Sequence, residues 1–183
     1  MYHVGSFQNQ MGPTHMRLPV CLTLTLTLAM ALGLSPAAQG PSRRVTWSVT
    51  LEPKVDARAP GHRLTALVTA KIEEGWHVYA PQELPDGPRP LRIDLVGSGP
   101  AEAAGAMVSP EPEREFDDAF SQVTAYYAET TTFRVPLAIA AKAKAGAGSV
   151  AFDISFQACD GRMCLPGKTV RVSAPVVVSA PKK

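Results

Sequence analysis

Cysteine is scarce in this chain: three residues in 183. One of them, Cys21, falls in an N-terminal leader, so two remain for chemistry and a disulfide-dense scaffold is excluded. Aromatic residues are also few, at 7% of the chain, and none is interleaved with a basic run, which argues against nucleic-acid partners. Charge of one sign is lacking: 18 Lys and Arg stand against 16 Asp and Glu. Setting Arg17 aside with the leader brings the net charge close to +1. There is no internal repeat, no glycine-rich phosphate loop and no convincing helical periodicity. Nothing calls for a small-molecule cofactor, and no His lies near the cysteines to complete a full resident-metal ligand set.

Acidic residues are missing altogether before Glu52. Arg17 precedes an apolar run from Leu18 to Leu34, and Ser35-Pro36-Ala37-Ala38 come next. A charged start, an apolar stretch and small residues make a signal peptide over 1–40, with cleavage near 37–40 and Met16 as an alternative start. A retained anchor is the other reading, since a run of about 17 residues is at the lower limit for spanning a bilayer. The context of Cys21, Leu18-Pro19-Val20-Cys21, makes a poor lipoprotein site. No second apolar run is long enough to cross a membrane. The expected mature part, 41–183, suits one domain with a sizeable core.

That mature part alternates with period two. Val45, Trp47, Val49 and Leu51 form one set; Leu64, Ala66, Val68, Ala70 and Ile72 a second. Trp76, Val78 and Ala80, then Leu91, Ile93 and Leu95, continue the pattern. Phe133, Val135, Leu137 and Ile139 extend it, with Pro136 marking an edge or a bulge. Val150 to Phe156 and Val170 to Val178 complete it. Such short strands with turn signals between them predict an all-β sandwich of about seven to nine strands. Ala140 to Gly148 reads as a hairpin loop, because its glycines weaken a helix.

Cys159 and Cys164 flank Asp160-Gly161-Arg162-Met163 at the end of an alternating strand. Asp-Gly is a turn signal, and Pro166 breaks any regular structure just beyond Cys164. The two sulfurs are therefore expected across a tight turn, with Cα atoms about 5–6 Å apart, as a disulfide requires. Three readings are open. As a staple the pair contributes little, about 2 kcal/mol or less for so short a loop. As a redox pair it opens and closes by thiolate exchange, helped by Arg162 and Lys168 and opposed by Asp160. As a soft-metal site it would add Met163 to two thiolates and suit Cu(I). An oxidising, exported setting permits the disulfide.

The stretch 109–122 breaks the alternation. It is acidic, carries Pro110 and Pro112, and holds Phe116 and Phe120. It reads as a long surface loop. Its aromatic rings either plug the end of the sandwich or form a flap over a reactive group.

Gly75-Trp76-His77-Val78-Tyr79, together with Phe156-Gln-Ala-Cys159…Cys164-Leu-Pro166, resembles the N-terminal periplasmic domain of the thiol:disulfide interchange protein DsbD. The resemblance covers roughly 45–179. It implies an immunoglobulin-like β-sandwich in the periplasm that passes electrons between thioredoxin-fold redox proteins. Cys159 and Cys164 match the family's redox pair; by that match Cys164 forms the mixed disulfide and Cys159 resolves it. The family's cap loop places Phe120 at the shielding position and Asp118 at the acidic one, with Phe116 as the rival cap. His77 and Tyr79 would lie beside the pair on a neighbouring strand. Gly167 stands where the family commonly has a second proline. The family's membrane and thioredoxin-like domains have no counterpart in the sequence, which implies a separate membrane electron donor. The competing class is an exported immunoglobulin-like binding or assembly module with a structural disulfide.

Overall fold

A computed structural model of the chain describes residues 44–82 and 84–180. The expected signal peptide over 1–40, with its cleavage segment, lies outside these residues. Eleven strands run in chain order: β1 (Val45–Glu52), β2 (Arg63–Ile72), β3 (His77–Tyr79), β4 (Arg92–Leu95), β5 (Ala101–Ala103), β6 (Glu113–Asp117), β7 (Gln122–Tyr127), β8 (Thr130–Ile139), β9 (Gly146–Phe156), β10 (Ala158–Cys159) and β11 (Lys168–Val178). Among the described residues there is no helix. All named pairings are antiparallel, in three sheets ordered β1-β2-β8-β5, β10-β3-β7-β6 and β11-β9-β4.

The alternation seen in the sequence becomes the core. Leu64, Ala66, Val68, Ala70 and Ile72 of β2 are buried, as are Phe133, Val135, Leu137 and Ile139 of β8. Their polar neighbours face outward, as a half-buried strand requires. Val150, Phe152, Ile154 and Phe156 of β9 meet them from the second layer. Trp47 joins the layers, with its ring 6.2 Å from Phe133 and 5.4 Å from Phe156. Tyr127 brings in the third sheet, edge-on to Phe133 at 5.0 Å. The result is the expected immunoglobulin-like sandwich.

Three details differ from the sequence reading. The stretch 109–122 is largely a β-hairpin rather than a loop: β6 pairs with β7 from Glu113↔Tyr126 to Asp117↔Gln122. It escapes the period-two criterion because β6 lies at the sheet edge and buries no apolar side chain. With β5 and β10, which are two or three residues long, it raises the count above nine. Pro136 is not on an edge strand, since β8 has β2 on one side and β5 on the other. Its carbonyl accepts from Ala104 N on the β5 side, just beyond the last residue of β5. The missing N–H therefore faces a gap in that ladder and costs no strand pairing. Finally, β9 begins at Gly146, inside the expected loop, because β11 extends the ladder to Val178↔Gly146.

The site is positioned by one crossing. β9 belongs to the sheet with β11 and β4, and β10 to the sheet with β3 and β7. The chain passes from one to the other at Gln157, whose side chain accepts from Arg89 N at 3.3 Å and donates to Leu165 O at 3.2 Å.

Phe133 is fully buried and touches both Trp47 and Tyr127. Phe133→Ala should lower the unfolding free energy by about 3–5 kcal/mol in urea denaturation of the disulfide-intact protein. A loss below about 1 kcal/mol would mean that the layers do not depend on this ring.

Candidate functional site

The turn after β10 is built by Asp160. Its Oδ1 accepts from Arg162 N and Met163 N, both at 2.8 Å. Asp160 N donates to Met163 O at 3.0 Å, and Leu165 N to Ala158 O at 2.9 Å. These bonds bring Cys159 and Cys164 face to face in an antiparallel bridge, and a disulfide joins them. The Cα atoms are 4.1 Å apart, closer than the sequence reading allowed. An antiparallel bridge explains this, since directly opposed residues approach to about 4.5 Å in the narrow pairs of such ladders. The Met163 and Arg162 amides also hold the Asp160 carboxyl below the usual carboxylate range.

The two sulfurs differ in access. Cys159 is 1% exposed, whereas Cys164 is half-buried and lines an open groove of about 950 Å³. Strand register explains what else the groove contains. Cys159 lies opposite His77, Tyr79 opposite Tyr126, and Tyr126 opposite Glu113. Opposed residues share a face, and so do residues two apart on one strand. One face of this sheet therefore carries Cys159, His77, Tyr79, Tyr126, Thr124, Glu113, Glu115 and Asp117.

The groups on this face are bonded to one another. Tyr79 donates its hydroxyl to Asp117 Oδ2 at 2.8 Å. Asp117 Oδ1 accepts from Ala119 N at 3.0 Å, which starts the hairpin turn. Tyr126 OH lies 3.3 Å from Glu113 Oε2 and from Glu115 Oε2. The His77 ring packs against Tyr79 at 5.0 Å and Tyr126 at 4.9 Å. Burial, then the bond to Asp117 and its charge, push the Tyr79 phenol well above its usual value. Burial raises Tyr126 as well, with the charges of Glu113 and Glu115 adding to it. Burial lowers His77, against the opposing pull of Asp117, Asp160 and Glu115.

The residues singled out in the sequence are thus distributed as follows. Cys159, Cys164, His77 and Tyr79 come together. Phe120 is half-buried at the hairpin turn, 5.9 Å from Tyr79 and edge-on to it. Phe116 is 59% exposed, at the groove rim, opposite Val123. Asp118 also borders the groove, but the carboxylate that reaches Tyr79 belongs to Asp117. Tyr126, Glu113 and Glu115 were not singled out as site residues. The signal for them was the alternation Glu113, Glu115, Asp117, which is visible once the segment is read as a strand. Among the described residues no group of three or more His, Cys, Asp or Glu side chains is arranged to hold a metal ion.

A family model described as "Thiol:disulfide interchange protein DsbD, N-terminal" matches residues 48–175. Two solved structures are similar at low identity. The N-terminal domain of DsbD from Neisseria meningitidis, in its reduced form, is 15% identical with a TM-score of 0.43; the match covers 61% of this chain and 77% of that one. The N-terminal periplasmic domain of ScsB from Proteus mirabilis is 15% identical with a TM-score of 0.43; the match covers 73% of this chain and 44% of that one. No curated protein matches the chain.

Asp160 gives a prediction with a definite sign. Its carboxyl titrates lower in the fold than in the unfolded chain, so its contribution is fully present above the ordinary Asp range and is lost as pH falls through the folded value. Asp160→Asn should therefore lower the thermal midpoint at neutral pH. The gap to wild type should narrow as the medium is acidified below about pH 4. A gap that does not change with pH would mean that ionisation of Asp160 does not stabilise the turn.

Proposed function

The chain belongs to the DsbD N-terminal family of thiol:disulfide interchange proteins, and from that premise we propose that it carries electrons between thioredoxin-fold partners through Cys159 and Cys164. The observation that carries this reading is the unequal access of the two sulfurs. A partner can reach Cys164 from the groove, and Cys159 lies behind it.

The exchange balances as a two-electron transfer. A partner thiolate attacks Sγ of Cys164, the Cys159–Cys164 bond breaks, and its electron pair leaves on Cys159. The partner's second thiolate then attacks the mixed disulfide and frees Cys164. The partner is oxidised and this domain is reduced. Run backwards, with Cys164 as the attacking thiolate, the same steps reduce an oxidised client. A partner thiol that is already acidic needs no base for the first attack.

In this reading Phe120 is the cap. Its edge-on packing against Tyr79, and the Tyr79–Asp117 bond below it, support that role. Asp117 takes the acidic position in place of Asp118. Phe116, 59% exposed, serves better as a contact for the docking partner. The domain works in the periplasm after removal of the leader over 1–40, as one domain over 41–183. A membrane-embedded donor supplies its electrons. No small-molecule cofactor takes part.

Equilibration in thiol buffers followed by alkylation should give a reduction potential of about −180 to −270 mV for the pair, the range of known exchange proteins. A potential well below about −300 mV would mark a structural disulfide and favour the binding-module reading. Cys159→Ala should trap a mixed disulfide on Cys164. Phe120→Ala should speed oxidation of the reduced pair by small oxidants several-fold, and Phe116→Ala should leave that rate unchanged. The reverse pattern would make Phe116 the cap.

A further inference from the structure

Cys159 must gain a proton each time the pair is reduced and lose one each time it is reoxidised. In the disulfide form it is 1% exposed and, unlike Cys164, does not line the groove. A neighbouring side chain open to the groove offers a route for that proton. We propose that His77 is that neighbour: the imidazole takes the proton from the Cys159 thiol when Cys159 resolves a mixed disulfide, and returns one when Cys159 is the leaving group. This rests on the exchange reading above.

The register carries the argument. Cys159 and His77 are directly opposed across β10 and β3. Opposed residues share a face with Cβ atoms about 4.5–5.5 Å apart, within reach of an imidazole. The other end of His77 is open: the residue is half-buried and borders the groove, so it can exchange protons with solvent. The rings of Tyr79 and Tyr126, 5.0 and 4.9 Å away, hold it in place. Among the described residues no other nearby group suits the task. Asp160 already accepts two backbone amides and titrates low. The Tyr79 hydroxyl is committed to its bond with Asp117, and Tyr126 OH faces Glu113 and Glu115. Arg162 borders the groove with a permanent charge. Lys168 sits over the Phe156 ring at 5.5 Å. Burial keeps His77 neutral at neutral pH, so it has a lone pair to accept the proton. Asp117, Asp160 and Glu115 then stabilise the imidazolium that forms.

The resolving step balances. Cys164 is bonded to the client sulfur. The Cys159 thiol gives its proton to His77, and its electron pair attacks Sγ of Cys164. The Cys159–Cys164 bond forms, the client thiolate leaves, and the imidazolium releases its proton to the groove.

Stopped-flow mixing of reduced protein with dithiobis(nitrobenzoate) separates the two steps. The first thionitrobenzoate is released when Cys164 attacks, and the second when Cys159 resolves the adduct. In wild type the second rate should rise with pH through the histidine range and level off. In His77→Gln the first rate should be unchanged. The second should fall roughly 100-fold at neutral pH, the usual scale of general-base catalysis, and lose its inflection in the histidine range. A second release with wild-type rate and pH profile in His77→Gln overturns the proposal. No first release from wild type overturns the exchange reading itself, and the proton role with it. If the variant does not fold, NMR titration of wild type decides. The His77 ring should titrate at different pH in the oxidised and reduced proteins, and coincident curves overturn the proposal.

Discussion

The cysteine pair depends on the burial of one strand. Val150, Phe152, Ile154 and Phe156 of β9 all face the core, and β9 is paired on both sides, with β11 and β4. A slip of one residue would turn these four side chains to solvent, so the register is strongly specified. At about 1.5–3 kcal/mol for each fully buried side chain, that specification outweighs any single bond in the turn beyond it. Cys159 comes three residues after Phe156 and inherits the register. It is delivered opposite His77 because β9 cannot move.

The hairpin on the other side of the groove is held differently. β6 buries no apolar side chain, and Phe116 and Val123 are more than half exposed. The hairpin's inner strand β7 is paired with β3 and buries Ala125 and Tyr127, whereas the outer strand β6 is held by its ladder with β7, the Tyr79–Asp117 bond, the contacts of Tyr126 with Glu113 and Glu115, and the neighbouring Phe120–Tyr79 packing. Bonds of this kind are worth about 1–3 kcal/mol each in net terms. An approaching protein surface can offset that amount with its own contacts, whereas it cannot offset the burial of β9. The sulfurs thus follow a strand buried on its whole inner face, and the far rim of the groove is the exposed edge strand of the sheet that carries Cys159.

Much of the fold was legible in the sequence because burial and alternation coincide. The sets beginning at Val45, Leu64, Phe133 and Val150 each became a strand with those residues inward. The strands that were not legible carry little burial of their own. β6 is charged along most of its length, and β5 and β10 are too short to show a period. They exist because a neighbouring strand offers its free N–H and C=O groups, which no local pattern records. The partner of Tyr79 was not legible for the same reason: pairing along β6 and β7 turns Asp117 toward Tyr79, and Asp118 lies in the hairpin turn beside it.

The sequence by itself determined an all-β sandwich, the family, and a cysteine pair across a turn. These come from local chemistry: side-chain periodicity, the Asp160 turn, and a short run of distinctive residues. Only the tertiary structure decided how far each cysteine is buried, which carboxylate holds Tyr79, and the register that sets His77 directly opposite Cys159. Those outcomes depend on registers between strands roughly 30 to 80 residues apart, and such registers are set by the packing of the whole core rather than by any one segment.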